Sequence, residues 1–263
     1  MAKAPRRADW NPESYGRFAD LRLRPALDLM NRVGALPGGK VIDLGCGAGA
    51  AGPALAARFA DHKIIGVDSS PAMLEKAAAT GAYRRCDLAD INSWAPPKPP
   101  ALIFSNAVLH WLPDHATLLP RLARLLAPGG VLAVQMPMQW GAPSHRFLRD
   151  FAVEMFPDRF DFADWTPPVA AAIEYMRLLA PLGTADVWTS DYIQRLAPSA
   201  DAHPVRRFTE STALRPFAEK MDAEELQAYL ARYEGALGAA YPPEADGTVL
   251  FPFRRLFLVL KVA

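Results

Sequence analysis

Val41-Ile42-Asp43-Leu44-Gly45-Cys46-Gly47-Ala48-Gly49 is the stretch from which the rest of the chain can be read. A short apolar strand runs into a turn with glycine at three alternate positions, and a helix-forming segment follows. Glycine permits positive φ there and lets backbone N–H groups approach a ligand with no Cβ in the way. The start of the next helix adds unpaired N–H donors and the positive end of a dipole. Gly45, Gly47 and Ala50 also satisfy the looser Gly-x-Gly-x-x-Gly/Ala dinucleotide pattern, so the glycines by themselves leave the cofactor open.

Asp43 narrows the choice. A carboxylate two residues before the first glycine repels a pyrophosphate across a short gap. It suits a cofactor that carries an ammonium and a sulfonium, as S-adenosylmethionine does. The stretch resembles the nucleotide loop of class I methyltransferases, Asp/Glu-x-Gly-x-Gly-x-Gly, with Cys46 inside it. The alternative is a tight strand-to-helix turn with no ligand.

Composition sets the outer bounds. With 263 residues, 51% hydrophobic and 22% charged, the chain can bury one substantial core, as one domain with an embellishment or two small ones. A formal net charge of +1 gives no general attraction to nucleic acid or anionic membrane. An acidic substrate therefore has to be met by locally placed arginines. Cys46 and Cys86 are too few for a disulfide framework or a zinc site and suit a reducing cytoplasm, and no metal-ligand spacing surrounds them. Met1 to Arg7 is basic but no apolar run follows, so it is not read as a signal peptide. No apolar run approaches the ~18 residues of a membrane span.

Taken in order, Asn11-Pro12 starts a helix, on which Tyr15, Phe18 and Arg22 share a face. Arg24-Pro25 is expected to break it, with a second helix over Leu27 to Val33. Residues 1–34 read as a helical lid with Tyr15 and Phe18 over the cofactor, or as a plain aromatic cover of the core. Lys63 to Asp68 is a second parallel strand, and Asp68 at its carboxyl end is placed for the ribose hydroxyls. Ser70 is read as the cap of the helix that follows, and Ser69 and Met73 are counted with the cofactor site. Tyr83 to Asp87 is a third strand, with Asp87-Leu88 beside the adenine and Cys86 in the core. Leu102 to Asn106 is a fourth, with Asn106, Ala107, His110 and Trp111 on the ligand-binding edge. After a helix and the Pro128-Gly129-Gly130 turn, Val131 to Met136 is the fifth.

The alternation then ends. Helices over 144–156 and 169–179, strands over 185–196 and 253–262, and helices over 205–217 and 223–238 complete the reading. The expectation is an α/β fold: a doubly wound, mostly parallel seven-stranded sheet with a small helical cap. Residues 35–140 form the cofactor-binding core, and the cap, about 200–250, is inserted between the last two strands.

Asp9-Trp10-Asn11-Pro12, Phe104-Ser105-Asn106-Ala107 with Leu109-His110-Trp111, and Val134-Gln135-Met136-Pro137 resemble trans-aconitate 2-methyltransferases. So do Ser144-His145, Thr212 to Phe217, Ala240-Tyr241-Pro242-Pro243 and Leu250 to Phe257. The resemblance covers nearly the whole chain. It implies a Rossmann-like class I fold and a cytoplasmic, S-adenosylmethionine-dependent enzyme that leaves S-adenosylhomocysteine and esterifies one carboxylate of a small polyacid. The segments Met138-Gln139-Trp140-Gly141 and Arg206-Arg207-Phe208-Thr209 depart from the family pattern near the expected acceptor pocket.

A carboxylate acceptor is already an anion, so transfer needs orientation and exclusion of water rather than a base. Fixed cations should hold the acid, and arginine's fork suits carboxylates. The candidates are Arg215, Arg254 and Arg255, with Arg22, Arg24 and His145 behind them. Arg254 and Arg255 point to opposite faces of a strand, so at most one enters the pocket. His110 and Tyr241 are placed to orient the acceptor, with Trp111 and Trp140 as walls. A monomer acting on a small acid, without nucleic acid or membrane, is expected. The open alternatives are a bulkier acyl or aromatic acceptor on the same fold, or a non-catalytic binding protein.

Overall fold

The computed structural model describes residues 19–210 and 212–263. Tyr15 and Phe18 lie outside the described residues, and for Arg22 only the backbone is described. The sheet has seven strands in the order β3-β2-β1-β4-β5-β7-β6. β1 (Val41–Leu44), β2 (Ile64–Asp68), β3 (Arg85–Leu88), β4 (Leu102–Asn106) and β5 (Val131–Pro137) form its parallel part. Helices α2 (Gly52–Arg58), α3 (Pro71–Ala79) and α4 (His115–Arg124) connect them, as the alternation of apolar runs and amphipathic stretches requires. β1, β4 and β5 are nearly continuous apolar runs because helices cover both faces of a parallel sheet. The doubly wound order reverses between β1 and β4, and the carboxyl ends of those strands carry the glycine turn and Asn106.

The described chain divides into two compact units. The first holds residues up to Met136, Pro168–Thr189 and Leu256–Ala263. It contains α6 (Ala172–Leu179) and the outer parts of β6 (Gly183–Leu196) and β7 (Val249–Val262). The second holds Pro137–Pro167 and Ser190–Arg255. Its helices are α5 (Pro143–Met155), α7 (Pro204–Glu210), α8 (Arg215–Ala218) and α9 (Ala223–Ala240). The helix expected over 205–217 is thus two, α7 and α8.

Helix α1 (Ala19–Arg32) corrects another expectation: it runs through Pro25 without a break. Proline lacks an N–H, and inside a helix it is unfavourable by about 3 kcal/mol. The balance is tipped by burial. Pro25, Ala26, Leu29 and Met30 form one apolar face that is removed from water, at roughly 1.5–3 kcal/mol for each large side chain.

Below the glycine turn, β4 is tied to β1 by a side chain. Ser105 is fully buried, and its hydroxyl donates to the Leu44 carbonyl at 2.8 Å, one residue before Gly45. Ser105→Ala keeps the packing and removes that donor. The unfolding free energy from a urea titration should fall by about 1 kcal/mol, with an unchanged m-value.

Candidate active site

The glycine turn sits on a frame of three hydrogen-bonded groups, all in the first unit. The Gly45 and Cys46 N–H groups donate to the Val67 carbonyl at 2.7 and 3.0 Å. Gly47 N–H donates to one Asp68 oxygen at 2.9 Å, and Ser70 N–H donates to the other at 2.9 Å. Asp68 therefore fixes the turn and the start of α3 together. Ser70 caps α3 as expected, its hydroxyl accepting from Met73 N–H at 3.3 Å. Ser69 is exposed beside them, and Met73 is buried in the core.

The third group was not picked out from the sequence. The Tyr83 hydroxyl donates to Asp43 at 2.6 Å. Its ring fills the space that glycines leave: a Cβ on Gly52 would come within 2.7 Å of it, and on Gly49 or Gly66 within 3.1 Å. Asp43 is only 3% exposed, so it is a buried group turned to Tyr83 and not an anion open to a ligand. Burial, and secondarily the charge of Asp68, push its carboxyl up to about 7, against the lowering effect of Tyr83. Burial, and then the Asp43 carboxylate, also raise Tyr83, which stays protonated and is the donor. Cys46 is raised by burial first and is an inert thiol in the same cluster, with Cys86 packed against it.

The three glycines differ. Gly45 has φ +77, and a Cβ there would lie 2.5 Å from Val108. Gly49 is closed by α3, with Ala77 Cα at 2.9 Å. Gly47, at φ +53, has no atom of the described residues within 4 Å of its Cβ position, so among those residues the turn is open there. Beyond β4, Asn106 has its side-chain oxygen buried with no donor, and Ala107 holds φ +57, an unfavourable value for any residue but glycine. An unused acceptor and a strained residue at one strand end are marks of a functional edge.

Asp87, expected beside the adenine, pairs with Arg85 at 2.9 Å near the carboxyl end of β3, one register step before the level of Asp68, which is opposite Leu88. The carboxylate past that level is Asp90, which heads a turn and accepts from Asn92 N–H at 2.8 Å. Leu88 is exposed at the strand end.

His110 and Trp111 lie on a one-turn 3₁₀ segment, with rings 4.6 Å apart. His115, overlooked in the sequence, anchors that segment. Its Nε2 lies 2.9 Å from the Leu109 carbonyl, which can only accept, so Nε2 carries the proton. Nδ1 then accepts from the Tyr175 hydroxyl at 2.6 Å, and Tyr175 in turn accepts from Ala170 N–H at 3.1 Å.

The second unit gathers His145 and Tyr241 but not Arg215 or Arg254. Tyr241 accepts from Ser144 N–H at 3.3 Å, and the Tyr233 hydroxyl donates to the Ser144 carbonyl at 2.7 Å. Ser144 Oγ is 3.0 Å from His145 Nδ1. Burial, then the charge of Arg149, hold His145 down at about 3, so it is neutral. Arg215 is 45% exposed and paired with Glu219 one helical turn on, at 2.7 Å. The apolar residues beside it, Leu214 and Phe217, point inward, while Arg215 takes the outer face of α8. Arg254 is 56% exposed and gives two nitrogens to Asp191. Its neighbour Arg255 is the buried one, over the Phe253 ring. Arg206 and Arg207 are structural too, bound to Glu210, Glu234 and Asp201.

Among the described residues no His/Cys/Asp/Glu group could hold a metal ion, and no helix is long and apolar enough to cross a membrane. In fold, the chain is similar to the YcgJ protein of Bacillus subtilis, with a TM-score of 0.57 at 14% identity over 92% of this chain and 99% of that one. It is also similar to phosphoethanolamine N-methyltransferase 2 of Haemonchus contortus bound to S-adenosylmethionine, with a TM-score of 0.51 at 16% identity over 91% of this chain and 53% of that one. Residues 15–201 match the methyltransferase-domain family, which fixes the class. In sequence it is 47% identical over 257 residues to the trans-aconitate 2-methyltransferase of Methylobacterium nodulans, covering 97% of this chain and 98% of the relative. The enzyme of the same name from Methylobacterium radiotolerans is 46% identical over 264 residues, covering 97% and 99%. The chain belongs to the trans-aconitate 2-methyltransferase family.

Two outcomes follow from the geometry. Gly45→Ala meets both a positive φ and Val108, so it should lower stability by more than about 2 kcal/mol. Gly47→Ala meets the positive φ alone and should lose about 1 kcal/mol. Its loss of S-adenosylhomocysteine affinity in calorimetry should be out of proportion to that. The second concerns pH. Asp43 titrates near 7 when folded and 3.8 when unfolded, so its contribution to stability rises as pH falls through that window. His145, near 3 when folded and 6.5 when unfolded, takes stability away as pH falls below 6.5. Asp43→Asn removes the first effect and leaves the second. Its stability should drop more steeply than the parent's between pH 7.5 and 5 in urea titrations.

Proposed function

We propose that this chain transfers the methyl group of S-adenosylmethionine to a carboxylate of trans-aconitate, giving the monomethyl ester and S-adenosylhomocysteine. The observation that carries the reading is the likeness to enzymes of that name at 46–47% identity along almost the whole chain. The first unit fits the cofactor. Gly47 leaves its side of the turn open, and the buried Asn106 oxygen is an acceptor in want of a donor, such as an ammonium group. Asp68, Ser69, Asp87 and Leu88, at the carboxyl ends of β2 and β3, are assigned to the nucleoside end, with Asp68 able to accept further through its remaining lone pairs. Tyr15, in the 1–34 lid, is assigned to the same cofactor, and Phe18 and Arg22 to the acceptor.

S-adenosylmethionine, when bound, supplies a methyl carbon made electrophilic by a sulfonium. The rest of the work falls to the chain. A polyacid is ionised at neutral pH, so no residue has to remove a proton before the carboxylate attacks. His110, held by the Leu109–His115–Tyr175 chain of hydrogen bonds, and Tyr241 orient the acceptor. Aromatic walls keep water from solvating the attacking oxygen. A cytoplasmic monomer is the setting of this reading, and the two free cysteines suit a reducing compartment.

The test is transfer of label from methyl-labelled S-adenosylmethionine to a panel of trans-aconitate, cis-aconitate, citrate and isocitrate. Base-labile label in trans-aconitate, at a kcat/KM at least tenfold above the others, is the expected result. Tight S-adenosylhomocysteine binding with no transfer to any acid would overturn the reading.

A further inference from the structure

In the second unit, the other arginines that reach the surface each have a carboxylate within 4.0 Å, from Arg146 with Asp150 to Arg254 with Asp191. Arg149, on α5, has none among the described residues. Its guanidinium is half-buried. It donates to the Trp140 carbonyl at 2.8 Å and to the His145 carbonyl at 3.3 Å, and it lies 3.9 Å above the centre of the Trp165 ring. Burial holds its pKa below the ordinary arginine value, against the smaller effect of the Asp150 charge beside it. A partly desolvated cation with no carboxylate within ion-pair distance among the described residues is an expensive device for satisfying two carbonyls, which any neutral donor could serve.

Asp150 acts on it only from beyond ion-pair distance, and the rings packed around it carry no charge. His145 is neutral, and the Trp140 ring stands edge-on to it at 5.6 Å and to Trp165 at 6.5 Å. The Trp140 indole N–H is itself buried with no acceptor. One segment, 140–165, thus holds a cation without an ion-pair partner among the described residues and an unused N–H donor, both among aromatic rings. A guanidinium has five N–H groups, and two of its nitrogens are turned to the carbonyls, so donors remain for a planar anion.

We propose that Arg149, together with the Trp140 indole N–H, binds a carboxylate of the acceptor other than the one that is methylated. The proposal rests on the polyacid reading above and names the subsite for it. It gives the anchoring role to a residue that Arg215 and Arg254, already paired with Glu219 and Asp191, do not fill.

The experiment uses the full chain saturated with S-adenosylhomocysteine and titrates trans-aconitate by calorimetry, alongside steady-state kinetics. Arg149→Met should weaken acceptor binding at least tenfold and raise KM more than it lowers kcat. S-adenosylhomocysteine affinity should stay within twofold. Arg149→Lys, which keeps the charge and loses the fork, should recover part of the loss. Trp140→Phe, which keeps a ring and loses the N–H, should weaken the acceptor about three- to tenfold. Arg146→Ala, on the same helix, is the control and should change neither constant. If Arg149→Met folds and binds trans-aconitate as the parent does, the subsite is wrong while the acceptor assignment stands. If the parent ignores trans-aconitate but binds another di- or tricarboxylate in an Arg149-dependent way, the subsite stands and the acceptor assignment falls. Should Arg149→Met not fold, equal acceptor KM in the parent, Arg149→Lys and Trp140→Phe would overturn the proposal.

Discussion

The hydrogen bond from Tyr83 to Asp43 is the constraint on which the cofactor turn depends. It joins the segment just before the third strand to the first strand, and the phenol ring fits only because Gly49, Gly52 and Gly66 leave room for it. The glycines of this chain thus have two different physical reasons. Gly47 faces open space, where a ligand can approach, while Gly49, Gly52 and Gly66 face inward and make room for a tyrosine. Asp68 completes the arrangement from the side, binding the turn and the start of α3 with one oxygen each. A turn with three positive-φ glycines has a large entropy to lose on ordering. Fixed side-chain partners at both ends supply the compensation.

The second unit is built on a different principle. Its surface arginines are almost all committed to carboxylates, across helix turns as in Arg215–Glu219 or across segments as in Arg159–Glu225 and Arg232–Glu154. Exposed pairs of this kind contribute little to stability individually, about 0–1 kcal/mol. Their effect on recognition is larger, because each one removes a cation that would otherwise attract an anionic substrate indiscriminately. What remains is Arg149 in its aromatic surroundings. Under the proposed subsite, selection of a polyacid depends on one placed charge and one placed N–H rather than on a basic surface.

Much of this was legible in the sequence. Spaced glycines after an apolar strand, an acid at the end of the next strand, and five apolar strands with amphipathic helices between most of them are local, periodic signals, and the sheet follows them. Ser70 as a cap is equally local. Pro25 is different: local chemistry argues for a break, and burial of the Pro25-to-Met30 face, which is a tertiary effect, decides against it. The arginines show the same limit. Nothing in Leu214-Arg215-Pro216-Phe217 tells that Glu219 lies within reach until the residues are known to be helical. In Phe251-Pro252-Phe253-Arg254-Arg255, however, the two-residue alternation does place 255, and not 254, on the buried aromatic face. Tyr83 and Arg149 carry no motif. Their importance comes from partners that are 40 residues away in one case and from the absence of an ion-pair partner among the described residues in the other.

The most direct measurement is carbon NMR of the product formed from trans-aconitate and S-adenosylmethionine labelled with ¹³C in the methyl group. The account predicts one enriched signal in the methyl-ester region, correlated through the ester oxygen to a single carboxyl carbon, with an equal amount of S-adenosylhomocysteine. Enrichment at a carbon-bound methyl, equal labelling of all three carboxylates, or no labelled product from a protein that binds the cofactor would contradict it.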